Sequence, residues 1–331
     1  MRETLNEETI PQASEHTGLG SPMVIAIAVA LGGALALQAQ LNGALTARTG
    51  SAVLVTLVSF AVGTTILVPM VIIRREVPSR TQLRRWQWRR WWLSNGPLGA
   101  FLIVAISAGV PLLGVALTTV LTVAGQTIMG IALDTRGTGV DGRIRVSGRR
   151  ATAVGVALLG LAVTVLALPI SPHRNAAAMV IMILLLVVAG VAAALQQAAN
   201  GAITGVSRRP VLAAVTNYIG GLMLLVVIAA LQWAAGTLKV TDWPTAAGDW
   251  WLYAGGLFGT LFVVTAAWAV RRIGVLTLSL AVVAGQTVAA VFLDLFTGAA
   301  KVTILTVIPI VAVLTAVVLA VEQPRPGVGD A

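Results

Sequence analysis

The side chains able to do chemistry in this sequence are amides and hydroxyls rather than acids, bases or nucleophiles. Gln38 and Asn42 stand four residues apart, as do Gln196 and Asn200, and that spacing puts each pair on one face of a helix. Gln126-Thr127 and Gln286-Thr287 end identical VAGQT segments, and Ser59, Asn217 and Tyr218 add further hydrogen-bonding groups. Together these suit neutral, zwitterionic or amphipathic organic solutes, with Tyr218 and Trp268 offering an aromatic wall for a planar or cationic ligand. Intramembrane amides and hydroxyls also serve simply to join helices, at about 0.6 kcal/mol each, and Asn42-Gly43 and Asn200-Gly201 could instead end or break their helices. Both readings stay open at this point.

Other chemistries lack their tools. There is no cysteine, and the only histidines, His16 and His173, lie outside the apolar runs, so disulfides, thiolates and Cys-based metal sites are excluded. No metal ligand set, cofactor motif or GxxxxGK[ST] phosphate loop is present, so ATP-driven transport would need a separate subunit. A catalytic residue is not expected, because an enzyme would need a nucleophile, a metal cluster or facing carboxylates at depth.

No charged residue falls near the middle of an apolar run, where one would cost about 2.5–3.5 kcal/mol and would mark an ion or proton pathway. The nearest are Asp134 and Asp294 at helix ends, read as gate or loop contacts in preference to a proton-coupling pair.

The elements that must carry these groups are membrane helices. The chain has 331 residues, of which 57% are hydrophobic and 10% charged, with a mean hydropathy of +0.92, well outside soluble composition. Apolar runs near 21–45, 52–73, 92–110, 112–134, 150–170, 176–204, 210–235, 249–269, 274–296 and 302–321 are each long enough to cross about 30 Å of hydrocarbon. Gly109 and Pro111 divide the third from the fourth, and Pro169 with Pro172 closes the fifth. Residues 1–20 and 322–331 read as cytoplasmic tails.

Charge sets the orientation. Of 22 Lys and Arg residues, 18 fall on the side of the N-terminus and four, Arg48, Arg174, Lys239 and Lys301, on the other, which places both termini in the cytoplasm. The net charge of +10 therefore reflects short loops, and nucleic acid is not an expected partner. The 74–92 stretch interleaves arginine with Trp86, Trp88, Trp91 and Trp92, a pattern suited to anionic lipid headgroups.

The sequence repeats itself. LQAQLNGALT at 37–46 aligns without a gap with LQQAANGAIT at 195–204, and the same offset of 158 carries Ser59, Phe60 and Gly63 onto Asn217, Tyr218 and Gly221. VAGQT at 123–127 returns at 283–287, and Leu133-Asp134 as Leu293-Asp294, at an offset of 160. The units are 21–170 and 176–321. Five spans per unit is odd, so the second enters from the opposite face and the repeats are inverted, the architecture on which alternating access is built. The expectation is an all-α integral membrane protein of ten helices in two inverted five-helix repeats, working as a secondary transporter or facilitator. A channel or a non-transporting sensor or scaffold is the alternative.

LQAQLNGALTARTGSAVLVTLVSFAVGT and its echo LQQAANGAITGVSRRPVLAAVTNYIGG resemble the YdcZ-type branch of the drug/metabolite transporter superfamily, related to EamA-like ten-helix transporters. The resemblance implies an inner-membrane exporter of small molecules and allows a homodimer. It sets helix 1 apart from small multidrug-resistance carriers, whose membrane glutamate exchanges protons, because Gln38 and Asn42 stand there instead.

Overall fold

The computed structural model describes residues 20–78, 90–138, 147–166, 176–238, 240–297 and the single residues 311, 312, 315 and 319. The expected tails, Trp86 and Trp88 of the basic loop, both histidines, and the side chains of Trp91, Trp92 and Asp294 lie outside the described residues.

The described secondary structure is helical. In chain order the helices are α1 (Gly20–Thr49), α2 (Ala52–Ile73), α3 (Arg90–Arg136), α4 (Gly148–Leu166), α5 (Ala176–Ser207), α6 (Pro210–Ala234) and, after a 3-10 turn at Ala247–Ala254, α7 (Gly255–Thr297). Six candidate spans are long and apolar enough to cross a membrane. Their outward faces are apolar, as lipid requires: Ile181, Leu184 and Val188 on α5 and Met223, Val227 and Leu231 on α6 are exposed.

Two helices are longer than a bilayer is thick. A straight α3 of 47 residues would measure about 70 Å. It does not run straight, because a Cβ on Gly109 would lie 3.2 Å from the Thr118 side chain, a residue that about 1.5 Å of rise per step would carry roughly 13 Å away. The chain therefore folds back around Val110-Pro111, where the sequence divides its third and fourth apolar runs. α7 does the same at Gly274, whose φ of 79° and ψ of 164° are non-helical and open to glycine without steric cost.

The two repeat units pack reciprocally. A Cβ on Gly32 of α1 would strike the Val282 carbonyl of α7, and one on Gly285 would strike Val29. Their repeat mates behave alike: Gly190 of α5 sits against the Thr122 carbonyl of α3, and Gly125 against Val187. Each unit thus sends its first helix across to the distal part of the other unit's longest helix, and only glycine permits that approach. On the second contact level Phe60 covers Gly221 and Tyr218 covers Gly63, which brings the two rings to 4.8 Å between centroids.

Even the connections repeat. Gly50 (φ 76°) followed by Ser51 (φ −131°, ψ 100°) starts α2, and Arg208 (φ 59°) followed by Arg209 (φ −132°, ψ 97°) starts α6. Ser51 Oγ accepts from Leu54 N at 3.3 Å, a side-chain cap, while α6 begins instead with Pro210 in its first turn.

Two faces of the bundle can be told apart by contact. Arg209 donates to the Glu76 carbonyl at 2.7 Å, and Arg271 lies over Gly205, so the 74–78, 205–210 and 271–276 segments share one arginine-rich face. On the opposite face Arg48 pairs with Asp249 at 2.9 Å. Trp233 and Trp250 are exposed, as indoles at a headgroup layer would be.

Overpacking a tight helix crossing costs about 1–3 kcal/mol or more. Gly32→Leu and Gly190→Leu should therefore each lower the detergent-solubilised melting temperature by a similar, large amount, while Gly155→Leu, in open space on α4, should not. A tolerated Gly190→Leu would contradict the reciprocal packing.

Candidate functional site

At the crossing of α1, α2, α3, α5, α6 and α7 lies a cavity of about 850 Å³, counting its open mouth. Seven of the ten residues read from the sequence as substrate contacts line it: Gln38, Asn42, Gln126, Gln196, Asn217, Tyr218 and Gln286. None of its lining residues carries a charge. The apolar part of the wall includes Phe60 and Phe262.

The Gly crossings are what aim these groups inward. Gln38 Nε2 lies over Gly259 and Gln196 Nε2 over Gly99, so repeat-equivalent amides cross repeat-equivalent glycines. Tyr218 Oη also reaches Gly259, so the phenol and the Gln38 amide meet at one place on the wall.

Several polar atoms here are unspent. Gln38 Oε1, Gln197 Oε1, Asn42 Nδ2 and Asn217 Oδ1 are buried with no hydrogen-bond partner among the described residues. A buried amide group left unsatisfied costs roughly 1–3 kcal/mol, and in a cavity that cost is removed by a ligand or water that supplies the complementary group.

The remaining three of the ten are placed differently. Thr287 Oγ1 donates to the Val283 carbonyl of its own helix at 2.8 Å. Thr127 is fully buried, and its hydroxyl has no partner among the described residues. Asn200 accepts from Asn95 Nδ2 at 3.0 Å and does not line the cavity. Trp268 lies beneath the Arg272 guanidinium, 4.2 Å from the ring centroid, and away from the cavity.

Asn95 is the residue that sequence reading passed over. Fully buried at the start of α3, it donates to Asn200 Oδ1, to Thr216 Oγ1 at 3.1 Å and to the Ala213 carbonyl at 3.3 Å, and its own carbonyl accepts from Asn217 Nδ2 at 2.8 Å. One side chain thus ties α3 to α5 and α6. The available signal was an Asn directly before Gly96-Pro97 inside an apolar run; without a repeat partner it did not stand out. Gln197, also on the cavity wall, was hidden by the same lack of a matching polar partner, its mate being Ala39; Thr119 was passed over although its mate Ser279 also carries a hydroxyl.

Asp134 is buried at the end of α3. Its Oδ1 accepts from Val275 N at 2.8 Å and its Oδ2 from Leu276 N at 3.2 Å. These amides open the second segment of α7 just after the Gly274 break, where the first turn has no intrahelical acceptors and the helix dipole favours a carboxylate. Asp134 therefore caps a helix of the other repeat unit.

Comparison with known proteins agrees with this architecture. The model of a family described as "Putative inner membrane exporter, YdcZ" matches residues 23–163 and again 181–319. A solved crystal structure of a protein with 18% identity covers 91% of this chain and 97% of its own, at a TM-score of 0.62, which is a likeness of fold. No curated protein matches.

Replacing Asp134 with alanine would leave two buried N–H groups unpaired, at about 2–5 kcal/mol. Asp134→Ala should lower the melting temperature sharply in detergent, and Asp134→Asn, which keeps one acceptor, by less. Equal melting of all three proteins would show that the cap carries no weight.

Proposed function

Since this chain belongs to the YdcZ family of multi-pass inner-membrane exporters, we propose that it carries small, uncharged or zwitterionic organic solutes by alternating access of two inverted five-helix repeats. The observation that carries this reading is the central cavity, uncharged and walled by amides from both units. The family model's two separate matches and the reciprocal glycine crossings support two units of one design.

Counting α3 and α7 as two spans each gives nine crossings among the described helices, and the apolar run 302–321, most of which lies outside the described residues, is the tenth that this reading requires. Five crossings per unit invert the second unit. The arginine-rich face is the cytoplasmic one by the positive-inside rule, which puts both termini in the cytoplasm and Arg48 outside. The 74–92 stretch then lies against anionic lipid headgroups. A homodimer is compatible with this layout and is not required by it.

In this reading Gln38, Gln126, Gln196 and Gln286 contact substrate at mid-depth, with Asn42 above and Asn217 below. The rotatable amides can present either an acceptor or a donor, so they match ligands that carry both. Phe60 and Tyr218 offer a face to a planar group. Asp134 and Asp294 act at the gates.

The test is binding and uptake in proteoliposomes with a panel of neutral, zwitterionic and cationic metabolites, read first as thermal stabilisation. Gln126→Ala and Gln286→Ala should each weaken binding of a transported solute about five- to tenfold, the worth of one neutral hydrogen bond. If both variants bind and transport as the parent does, the midplane amides are helix contacts and the site lies elsewhere.

A further inference from the structure

The cavity is not symmetric about the middle of the protein, and the asymmetry has a residue behind it. Most cavity residues come as repeat mates: Leu35 with Ala193, Gln38 with Gln196, Phe60 with Tyr218, Thr122 with Val282, Gln126 with Gln286. Asn42, Ile106, Thr119 and Gly259 line it without their mates Asn200, Ala266, Ser279 and Gly99. The first four lie toward the Arg48 face and their mates toward the arginine-rich face. Asn217, which has the reverse imbalance, forms the floor.

Burial follows the same division. Ala266, Ser279 and the Val275–Leu276 turn are buried, whereas Ile106, Thr119 and Val115, their equivalents in α3, are partly open. Ser279 Oγ is buried without a partner among the described residues, an unsatisfied hydroxyl where its mate Thr119 faces the cavity.

The closed side is held by the Asn95 cluster. Asn95 of the first unit joins Asn200, Thr216 and Asn217 of the second. The mirrored place, against Asn42 and Ser59 of the first unit, is occupied by Gly255 of the second: a Cβ there would point at Asn42 Oδ1 and Ser59 Oγ. Asn42 and Ser59 bond each other at 2.9 Å, both within the same unit, on neighbouring helices α1 and α2. The amide that ties three helices together at the arginine-rich face has no counterpart at the other.

We propose that Asn95 is a positioning residue for transport: it clasps the arginine-rich gate, and because its mate is Gly255 the unloaded carrier rests with its cavity open to the opposite, Arg48 face. The proposal rests on the alternating-access reading above. It says which way the substrate-free protein faces and which side chain decides it. The Asp134 cap on α7 holds the same gate by a second, independent contact.

The natural absence of cysteine makes the test direct. Thr119→Cys and Ser279→Cys are made singly in the otherwise unaltered chain in right-side-out membrane vesicles and in inverted ones, and labelled with a membrane-impermeant sulfonated maleimide. Thr119→Cys should react from the Arg48 face about tenfold or more faster than Ser279→Cys reacts from the arginine-rich face, the ratio expected when the other state is populated at roughly 10% or less. Adding Asn95→Gly, which copies the mate, should raise Ser279→Cys labelling and lower that of Thr119→Cys. Gly255→Asn, which supplies the missing amide, should lower Thr119→Cys labelling as well, and it remains informative if Asn95→Gly does not accumulate. Equal labelling of the two cysteines in the parent, or a ratio unmoved by both variants, overturns the proposal and leaves the cavity standing. Labelling of neither cysteine from either side overturns the carrier reading along with it.

Discussion

Helices in hydrocarbon gain nothing from hiding apolar surface from one another, since lipid is as apolar as leucine, and so they associate where their backbones can come close. Here that closeness is concentrated at Gly32 against Val282, Gly285 against Val29, Gly190 against Thr122 and Gly125 against Val187. Every polar feature of the interior depends on those crossings. They bring α1 to α7 and α5 to α3, and in doing so bring four glutamines from four different segments to one cavity wall. A side chain at any of the four would separate helices before it altered any chemistry.

The amides enclosed this way are divided between two uses. Asn95, Asn200 and Asn217 largely satisfy one another, and so act as structure. Gln38, Gln197 and Asn42 retain unspent groups in a cavity with no charge on its lining. Low dielectric makes a satisfied network stiff and an unsatisfied group costly, so the same residue type gives rigidity at one end of the cavity and receptivity in the middle. Asp134 belongs with the rigid part: its carboxylate does for a broken helix what intrahelical carbonyls cannot.

Much of this was legible in the sequence. The Gln-x-x-x-Asn-Gly segments and the two VAGQT copies picked out helices that line the cavity, because hydrogen-bonding residues recur at the same offset in two apolar contexts, although helix-joining and ligand-facing roles read alike in the sequence. The fold-back at Pro111 was legible as a breaker in an over-long apolar run. Asn200 was misleading, since its local sequence is that of Asn42, and only the neighbour contributed by α3 diverts it from the cavity. Asn95 was invisible for the complementary reason: its importance lies in two other helices, α5 and α6, that meet it in space, and its own amide has no repeat mate in the sequence. Trp268 was assigned by type, and its partner Arg272, one helical turn away, explains its placement better.

The contrast between Asn95 and Gly255 also bears on descent. Two identical half-length chains assembled around a two-fold axis would carry the same residue at both places, and would have either two such clasps or none. Joining the halves in one chain frees each position to change alone. The turn at Gly50 and at Arg208 has the same backbone shape, and at the second place arginine holds a left-handed conformation suited to glycine. The frame is a duplicate, and the difference between the two ends of the cavity is what the duplication made available.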